Sequence, residues 1–281
     1  MTVAIVTDTC CDLAPDRAAA AGITLVPLVV RFGDVEQKAV TEMSVPAFYA
    51  RLLAPGSPFP STAACSPGDF TAAFRRHLDA GADGVVCLTV GSKLSATHQS
   101  ALVARDAMPD APIHVIDTET VTLCQGILAL LASEAAAAGE SADAIARLVE
   151  ARKADTRLFV TLDTLEYLRR GGRISAAQAA IGSVLAVKPI ITIADGAVET
   201  LDKPRTTNRA RARLLELIAE QPVERMVVVH SMAPGVDAFR DDAAAAAGLP
   251  ATGVFTELIG PSVAPHSGPG AFGAALLLRR S

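Results

Sequence analysis

Short apolar, β-rich runs alternate with helical patterns along the first half of the chain. Residues 3–7 have the continuous hydrophobicity of a buried parallel strand. A helix follows over 15–21 and stops at Gly22. Residues 23–32 form a second β-rich run. Ser44 is placed to cap a helix over 45–53, with Pro46 in its tolerant first turn. Ser66-Pro67-Gly68-Asp69 opens another helix, through Phe70, Phe74 and Leu78. A strand over 84–90, a helix over 95–107 and a strand over 113–116 come next, then an Ala/Leu-rich helix over 121–138. Ser141 caps an amphipathic helix in which Ile145, Leu148 and Val149 share a face. Four β–α repeats in this order predict a parallel sheet covered by helices on both faces.

Near residue 154 the pattern changes. Residues 158–162 read as a strand and 163–170 as a short helix ended by Gly171-Gly172. Residues 190–193 and 198–201 flank Asp195-Gly196, the signal of a tight hairpin. A charged amphipathic helix over 204–219 follows, then a strand over 226–230, a helix over 236–246, and strands over 253–258 and 274–278. Hairpins mixed with helices predict a mixed sheet. The expected fold is therefore α/β in two domains: residues 1–154 as a three-layer α/β/α domain with a parallel sheet, and residues 155–281 as an α/β domain with a mixed sheet.

Composition narrows the function. Of 281 residues, 51% are hydrophobic, which excludes a disordered chain. Lys and Arg number 25 against 30 Asp and Glu, so there is no excess of positive charge to track phosphates or anionic lipid heads, and a nucleic-acid partner is not expected. The five cysteines contain no C-x-x-C pair and read as free thiols in a reducing cytoplasm. The first residues lack the basic region of a signal peptide, and no apolar run is long enough to span a bilayer. Aromatic residues are 4% and Trp is absent, so a ligand cavity would be walled by aliphatic side chains.

Several strand ends lead directly into hydroxyl or acidic residues: Thr7-Asp8-Thr9, Gly91-Ser92 and Asp117-Thr118. In a parallel sheet these lie at the carboxyl edge, where ligands bind, although the same residue types also serve as helix caps. Ser92-Lys93-Leu94-Ser95-Ala96-Thr97 is richer in hydroxyls than a cap requires, and Thr62 precedes another helix. These positions suit an anion, or two ordinary capping boxes. Among the histidines, His77 belongs to a polar helix face, His98 and His114 read as structural, and His230 ends a strand. His266 stands in a Gly/Pro-rich loop over 260–270, where contact with a ligand or a structural role would explain it equally. Arg169-Arg170-Gly171-Gly172-Arg173 is either a solvated helix end or a receiver for an anion or partner, and Lys203 and Arg205 are similar. Gly268-Pro269-Gly270-Ala271-Phe272-Gly273 spells G-x-G-x-x-G but leaves no room for the helix, strand and acid of a dinucleotide site. No Walker A loop, nucleophile elbow or metal-spaced cluster is present, so neither a cofactor nor a metal is expected.

Taken in order, these pieces resemble the bacterial DegV family across nearly the whole chain. The opening residues 3–9, Ser66-Pro67-Gly68-Asp69-Phe70, residues 91–101, Val115-Ile116-Asp117-Thr118, residues 165–175 and the terminal His-containing segment over 259–273 match successive family signatures. The resemblance implies a two-domain protein holding a long-chain fatty acid between its domains. It also implies the role of non-catalytic subunit of a bacterial fatty acid kinase. A separate kinase subunit would phosphorylate the bound carboxylate, and the acyl phosphate would feed phospholipid synthesis, with transient membrane contact. The family's carboxylate contacts fall on Thr62, Ser95 and His266, and a family Arg linked to the phosphorylated head falls on Arg205. Ser92, Thr97, Arg205 and Arg173 are the expected secondary contacts for ligand or phosphate. The chain departs from the family in Thr62-Ala63-Ala64-Cys65 and Ser95-Ala96-Thr97, but Thr62, Ser95 and Thr97 are retained.

The physics suits such a ligand. Burying about 15 methylenes at ~0.8 kcal/mol each would contribute ~12 kcal/mol before ordering costs, more than a few hydrogen bonds supply net. The tail would set affinity and the polar residues would set orientation. Two other readings compete. A Ser95/His266 esterase or thioesterase lacks both an elbow and an obvious acid to orient the His. A module that only senses a lipid would use the same residues.

Overall fold

The computed structural model describes residues 2–174 and 187–280, so Ser175, the last residue of the 165–175 motif, lies outside the described residues. The chain divides into two compact units, Met1–Ala154 with Gly260–Ser262, and Asp155–Ile259 with Val263–Ser281.

Unit 1 is built on β1 (Val3–Asp8) and β6 (Gly84–Thr89), both buried along their whole length, as expected of strands covered on two faces. With β2 (Ile23–Val26) and β7 (Ile113–Asp117) they form a parallel sheet in the order β2-β1-β6-β7. Helices α3 (Pro67–Asp79) and α4 (Thr97–Asp106) pack together against this sheet, as do α5 (Leu123–Ala137) and α6 (Ala142–Arg152). Ser66 and Asp69 close a reciprocal capping box on α3, and Ser141 caps α6. From β1 the chain moves to one side for β2, then crosses to the other for β6. The strand order therefore reverses between the carboxyl ends of β1 and β6.

The run over 23–32 is not one strand. Pro27, which lacks an N–H, separates β2 from β3 (Val29–Phe32). β3 joins a small antiparallel sheet between β4 (Val35–Lys38) and β5 (Pro60–Ala63). Helices α1 (Pro15–Ala20) and α2 (Val45–Leu52) complete this part of the unit, the latter capped by Ser44.

Unit 2 carries a six-stranded mixed sheet, β10-β9-β8-β13-β11-β12. Its strands are β8 (Thr156–Thr161), β9 (Ile190–Ala194), β10 (Ala197–Asp202), β11 (Val223–His230), β12 (Phe255–Leu258) and β13 (Phe272–Leu278). Among the described residues of this sheet, only β11 and β12 pair in parallel. Asp195 and Gly196 both take positive φ, 48° and 73°, as a two-residue hairpin turn demands. Gly273 sits where any side chain would collide with the Phe159 carbonyl, so β13 needs glycine to pair with β8 there. The core joins Phe159, Leu214, Val228 and Phe239. Phe239 meets Phe272 edge to face at 5.1 Å. Helix α7 (Glu166–Arg170) follows β8. Beyond the hairpin lie α8 (Thr207–Ala219), α9 (Val236–Ala246) and the single turn α10 (Ala264–Ser267). The two-domain α/β architecture is the expected one.

Candidate functional site

At the carboxyl edge of the parallel sheet in unit 1, the strand-end residues bond mainly to one another. Thr7 Oγ1 donates to the Leu88 carbonyl at 2.9 Å, and Thr118 Oγ1 donates to the Thr89 carbonyl at 2.7 Å. These hydroxyls staple neighbouring strands. Thr9 Oγ1 accepts the Leu28 N–H at 3.0 Å and is hydrogen-bonded to Ser262 Oγ at 2.7 Å. Asp8 is fully buried. Its Oδ1 accepts the Cys10 N–H at 2.9 Å, while Oδ2 accepts the Val90 N–H at 2.8 Å and the Gln125 amide at 3.2 Å. Burial pushes this carboxyl up to about 6 against the pull of those donors. Gln125, the polar exception on the buried face of α5, was not singled out by sequence reasoning. A lone amide within an Ala/Leu-rich helix is the signal that marks it.

The segment from Gly91 to Thr97 follows. Gly91 donates to Thr120 O at 2.8 Å, and its carbonyl accepts from Leu94 at 2.9 Å and Ser95 at 3.2 Å. The Ser95 and Thr97 hydroxyls lie 2.9 Å apart, and Ser95 Oγ accepts the Thr97 N–H at 3.3 Å. The predicted helix over 95–107 starts only at Thr97, and Ala96, its cap residue, supplies no side-chain bond. Ser95 is therefore outside the helix and not part of a capping box, whereas Ser66 is. Ser92 is exposed, with its N–H held by Asp117 Oδ1 at 3.1 Å. Thr62 is half-buried on β5, opposite Val30, rather than at a helix entrance.

In unit 2 the structure brings two distant motifs together. His266 lies in the turn α10, not in an irregular loop, because Pro265 suits the first turn of a helix. Its ring rests on Gly171, where even a methyl group would overlap Nδ1. Gly268, at φ 70°, leaves equally little room beside the Tyr167 ring. Arg173 Nη1 donates to the Gly171 carbonyl at 2.7 Å. Burial first, and the Arg173 charge second, hold His266 down at about 4, so its imidazole is neutral at pH 7. Arg205 is exposed and precedes the helix rather than beginning it, since Thr206 caps α8 at Thr207. Lys203 is likewise exposed. Thr207, Asn208 and Arg211 line a cavity of about 330 Å³ with Ala233, Phe272 and the pair Lys188 and Asp163.

The remaining histidines sort by partner. His98 Nδ1 meets Thr89 Oγ1 at 2.9 Å, and His114 pairs with Asp143 at 2.9 Å. His77 is not simply solvated, because Nε2 meets Thr24 Oγ1 at 2.8 Å. His230 Nδ1 is buried without a hydrogen-bond partner among the described residues, and burial lowers its proton affinity. All five cysteines are buried, and none forms a disulfide among the described residues. Among the described residues no cluster of metal-ligating side chains occurs, and no helix is long and apolar enough to cross a membrane.

The DegV family model matches residues 2–279. The chain belongs to the DegV family. A DegV domain-containing protein of Streptomyces coelicolor is 39% identical over 99% of both chains. Among solved structures, a fatty-acid-binding DegV family protein from Thermus thermophilus superimposes with a TM-score of 0.89 at 32% identity, over 99% of this chain and all of the other. DegV of Bacillus subtilis, described as a fatty acid binding protein, gives 0.87 at 29% identity over the same shares. DegV relatives of known structure thus bind fatty acids.

Proposed function

We propose that this DegV protein binds a long-chain fatty acid and presents its carboxylate to a separate kinase subunit, which converts it to an acyl phosphate for phospholipid synthesis. The chain itself performs no catalysis and acts in the cytoplasm, with transient membrane contact. Thr62 and Ser95 donate hydroxyl hydrogen bonds to the carboxylate, and neutral His266 donates from a ring nitrogen. Ser92, Thr97 and Arg173 assist. Arg205 meets the phosphorylated head, since a guanidinium matches phosphate oxygens in pairs and keeps its charge.

The observation that carries this reading is the half-buried, uncharged His266 seated on Gly171 beside Arg173. A neutral donor suits a carboxylate that must be released after modification, because it adds orientation without a strong ion pair. The Ser95–Thr97 hydroxyl pair at the start of α4 supports it. So does the fatty-acid binding of the Thermus and Bacillus relatives.

Organic extraction of the purified protein followed by mass spectrometry is expected to release a long-chain fatty acid. A lipid-free chain that takes up no labelled fatty acid would refute the proposal. With ATP and fatty acid, acyl phosphate should form only when the cognate kinase subunit is added. Arg205→Ala should leave fatty-acid binding intact and slow that phosphorylation, whereas His266→Ala should weaken both. If Arg205→Ala changes neither, its assignment to the phosphate is wrong.

A further inference from the structure

Asp8 stands where the strand order of unit 1 reverses, at the carboxyl end of β1. The Val90 N–H that it accepts belongs to the residue joining β6 to Gly91. That bond sets the direction in which the chain leaves the sheet. Beyond it little freedom remains. Gly91 is wedged against the Glu119 and Thr120 backbone, where a Cβ would meet atoms at 3.1–3.3 Å, and its carbonyl fixes the Leu94 and Ser95 N–H groups. Asp117 holds the Ser92 N–H from the other side. The short path from Val90 to Ser95 is therefore a braced arch, footed on the buried Asp8 carboxylate and on the Thr120 carbonyl.

We propose that Asp8 is a positioning residue for the ligand carboxylate, tying Val90 to the end of β1 so that the Ser95–Thr97 hydroxyl pair is held in place. The role rests on the fatty-acid reading of Ser95 given above. Three N–H donors converge on Asp8 from Cys10, Val90 and Gln125, and only an acceptor on both oxygens satisfies them all. Asparagine has the same shape, but its NH2 would face one of those N–H groups. The ionisable groups around Asp8 are the thiols of Cys10, Cys11, Cys65 and Cys87, all pushed up by burial, with the Asp12 carboxylate beyond Cys10 and Cys11. None of these is a cation. Loss of the Asp8 charge near pH 6 thus removes acceptor strength that nothing nearby replaces.

Two measurements on the full chain test this. In 15N-labelled protein the Val90 amide resonance should titrate with a midpoint near 6, and in Asp8→Asn it should not. Affinity for cis-parinaric acid, a fluorescent fatty acid, should be ~10-fold weaker in Asp8→Asn at pH 8. The wild type should fall toward that level as pH drops through 6. Titration of the fatty acid itself appears equally in both proteins, so the step present only in the wild type belongs to Asp8. Should Asp8→Asn not fold, Gln125→Met removes one donor to the carboxylate and should move the wild-type step upward by ~0.5–1 pH unit. A Val90 amide that ignores pH, an Asp8→Asn variant with wild-type affinity at pH 8, or an unmoved step in Gln125→Met overturns the proposal. A wild type whose Val90 titrates but which binds no parinaric acid at any pH instead refutes the lipid reading, and with it the role given to Asp8.

Discussion

Each of the two units holds a desolvated ionisable group beside its candidate ligand residues, Asp8 buried and His266 half-buried, and the same force acts on them in opposite directions. In unit 1 desolvation raises Asp8 to about 6, and in unit 2 it lowers His266 to about 4. Both shifts favour the uncharged form. The surroundings differ. Asp8 is answered by three N–H donors and keeps a carboxylate at neutral pH, while His266 has the Arg173 charge nearby and stays neutral. One edge is organised by a retained charge and the other by a suppressed one.

The largest effect expected from this contrast is on stability against pH. Asp8 shifts from 3.8 to about 6, ~3 kcal/mol of linkage, stabilising fully below the lower value and lost as pH rises through 6. His266 shifts from 6.5 to about 4, also ~3 kcal/mol, stabilising fully above the upper value and lost as pH falls through 4. The two slopes oppose one another between pH 4 and 6. In urea unfolding across this range, His266→Gln should remove the acid-side loss and Asp8→Asn the neutral-side loss. Parallel profiles for the two variants would break the comparison.

A smaller effect separates the units by shape rather than charge. Gly171→Ala places a methyl where the His266 ring lies, and should destabilise by ~1–3 kcal/mol while weakening fatty-acid uptake. Gly68→Ala in unit 1 meets only Ser66 Oγ, at an ordinary 3.7 Å, and should leave both unchanged. Smaller still are the helix caps. Ser66 takes part in a full capping box and Thr206 in a single bond at 3.3 Å. Ser66→Ala should cost ~1–2 kcal/mol and Thr206→Ala ~0.5–1 kcal/mol by thermal unfolding.

The sequence reveals these features unevenly, for physical reasons. β1 and β6 are legible because strands buried on both faces must be apolar throughout, and the Asp195-Gly196 hairpin because few residues tolerate positive φ. β4 and β5 are not. Val-Glu-Gln-Lys and Pro-Ser-Thr-Ala carry almost no hydrophobic pattern, and their pairing with β3 rests on backbone hydrogen bonds that any side chains would permit. The 23–32 run misleads because Pro27 divides it between two sheets. Of the candidate site, the Ser95–Thr97 hydroxyls stand out in the sequence, but the seating of His266 on Gly171 does not. That contact is made in tertiary structure, between a basic helix end and a Pro-led turn far apart in the chain. Asp8 is visible as an acid at a strand end, but nothing local reveals that Val90 and Gln125 would converge on it.

The three residues Gly260–Ser262 belong to unit 1 although the chain on either side of them belongs to unit 2. Gly260 donates to Asp12 Oδ1 at 2.8 Å, and Ser262 meets Thr9. A cut after Ala154 would therefore not yield a whole amino-terminal unit. The fragment would lose the bonds that Thr9 and Asp12 make to the missing tripeptide, and the remainder would carry that tripeptide without its anchorage. Unit 1 is thus discontinuous in sequence. Gene dissection or domain shuffling that treats residue 154 as a seam should give two poorly folded pieces, whereas co-expression of both pieces should restore the missing loop in trans.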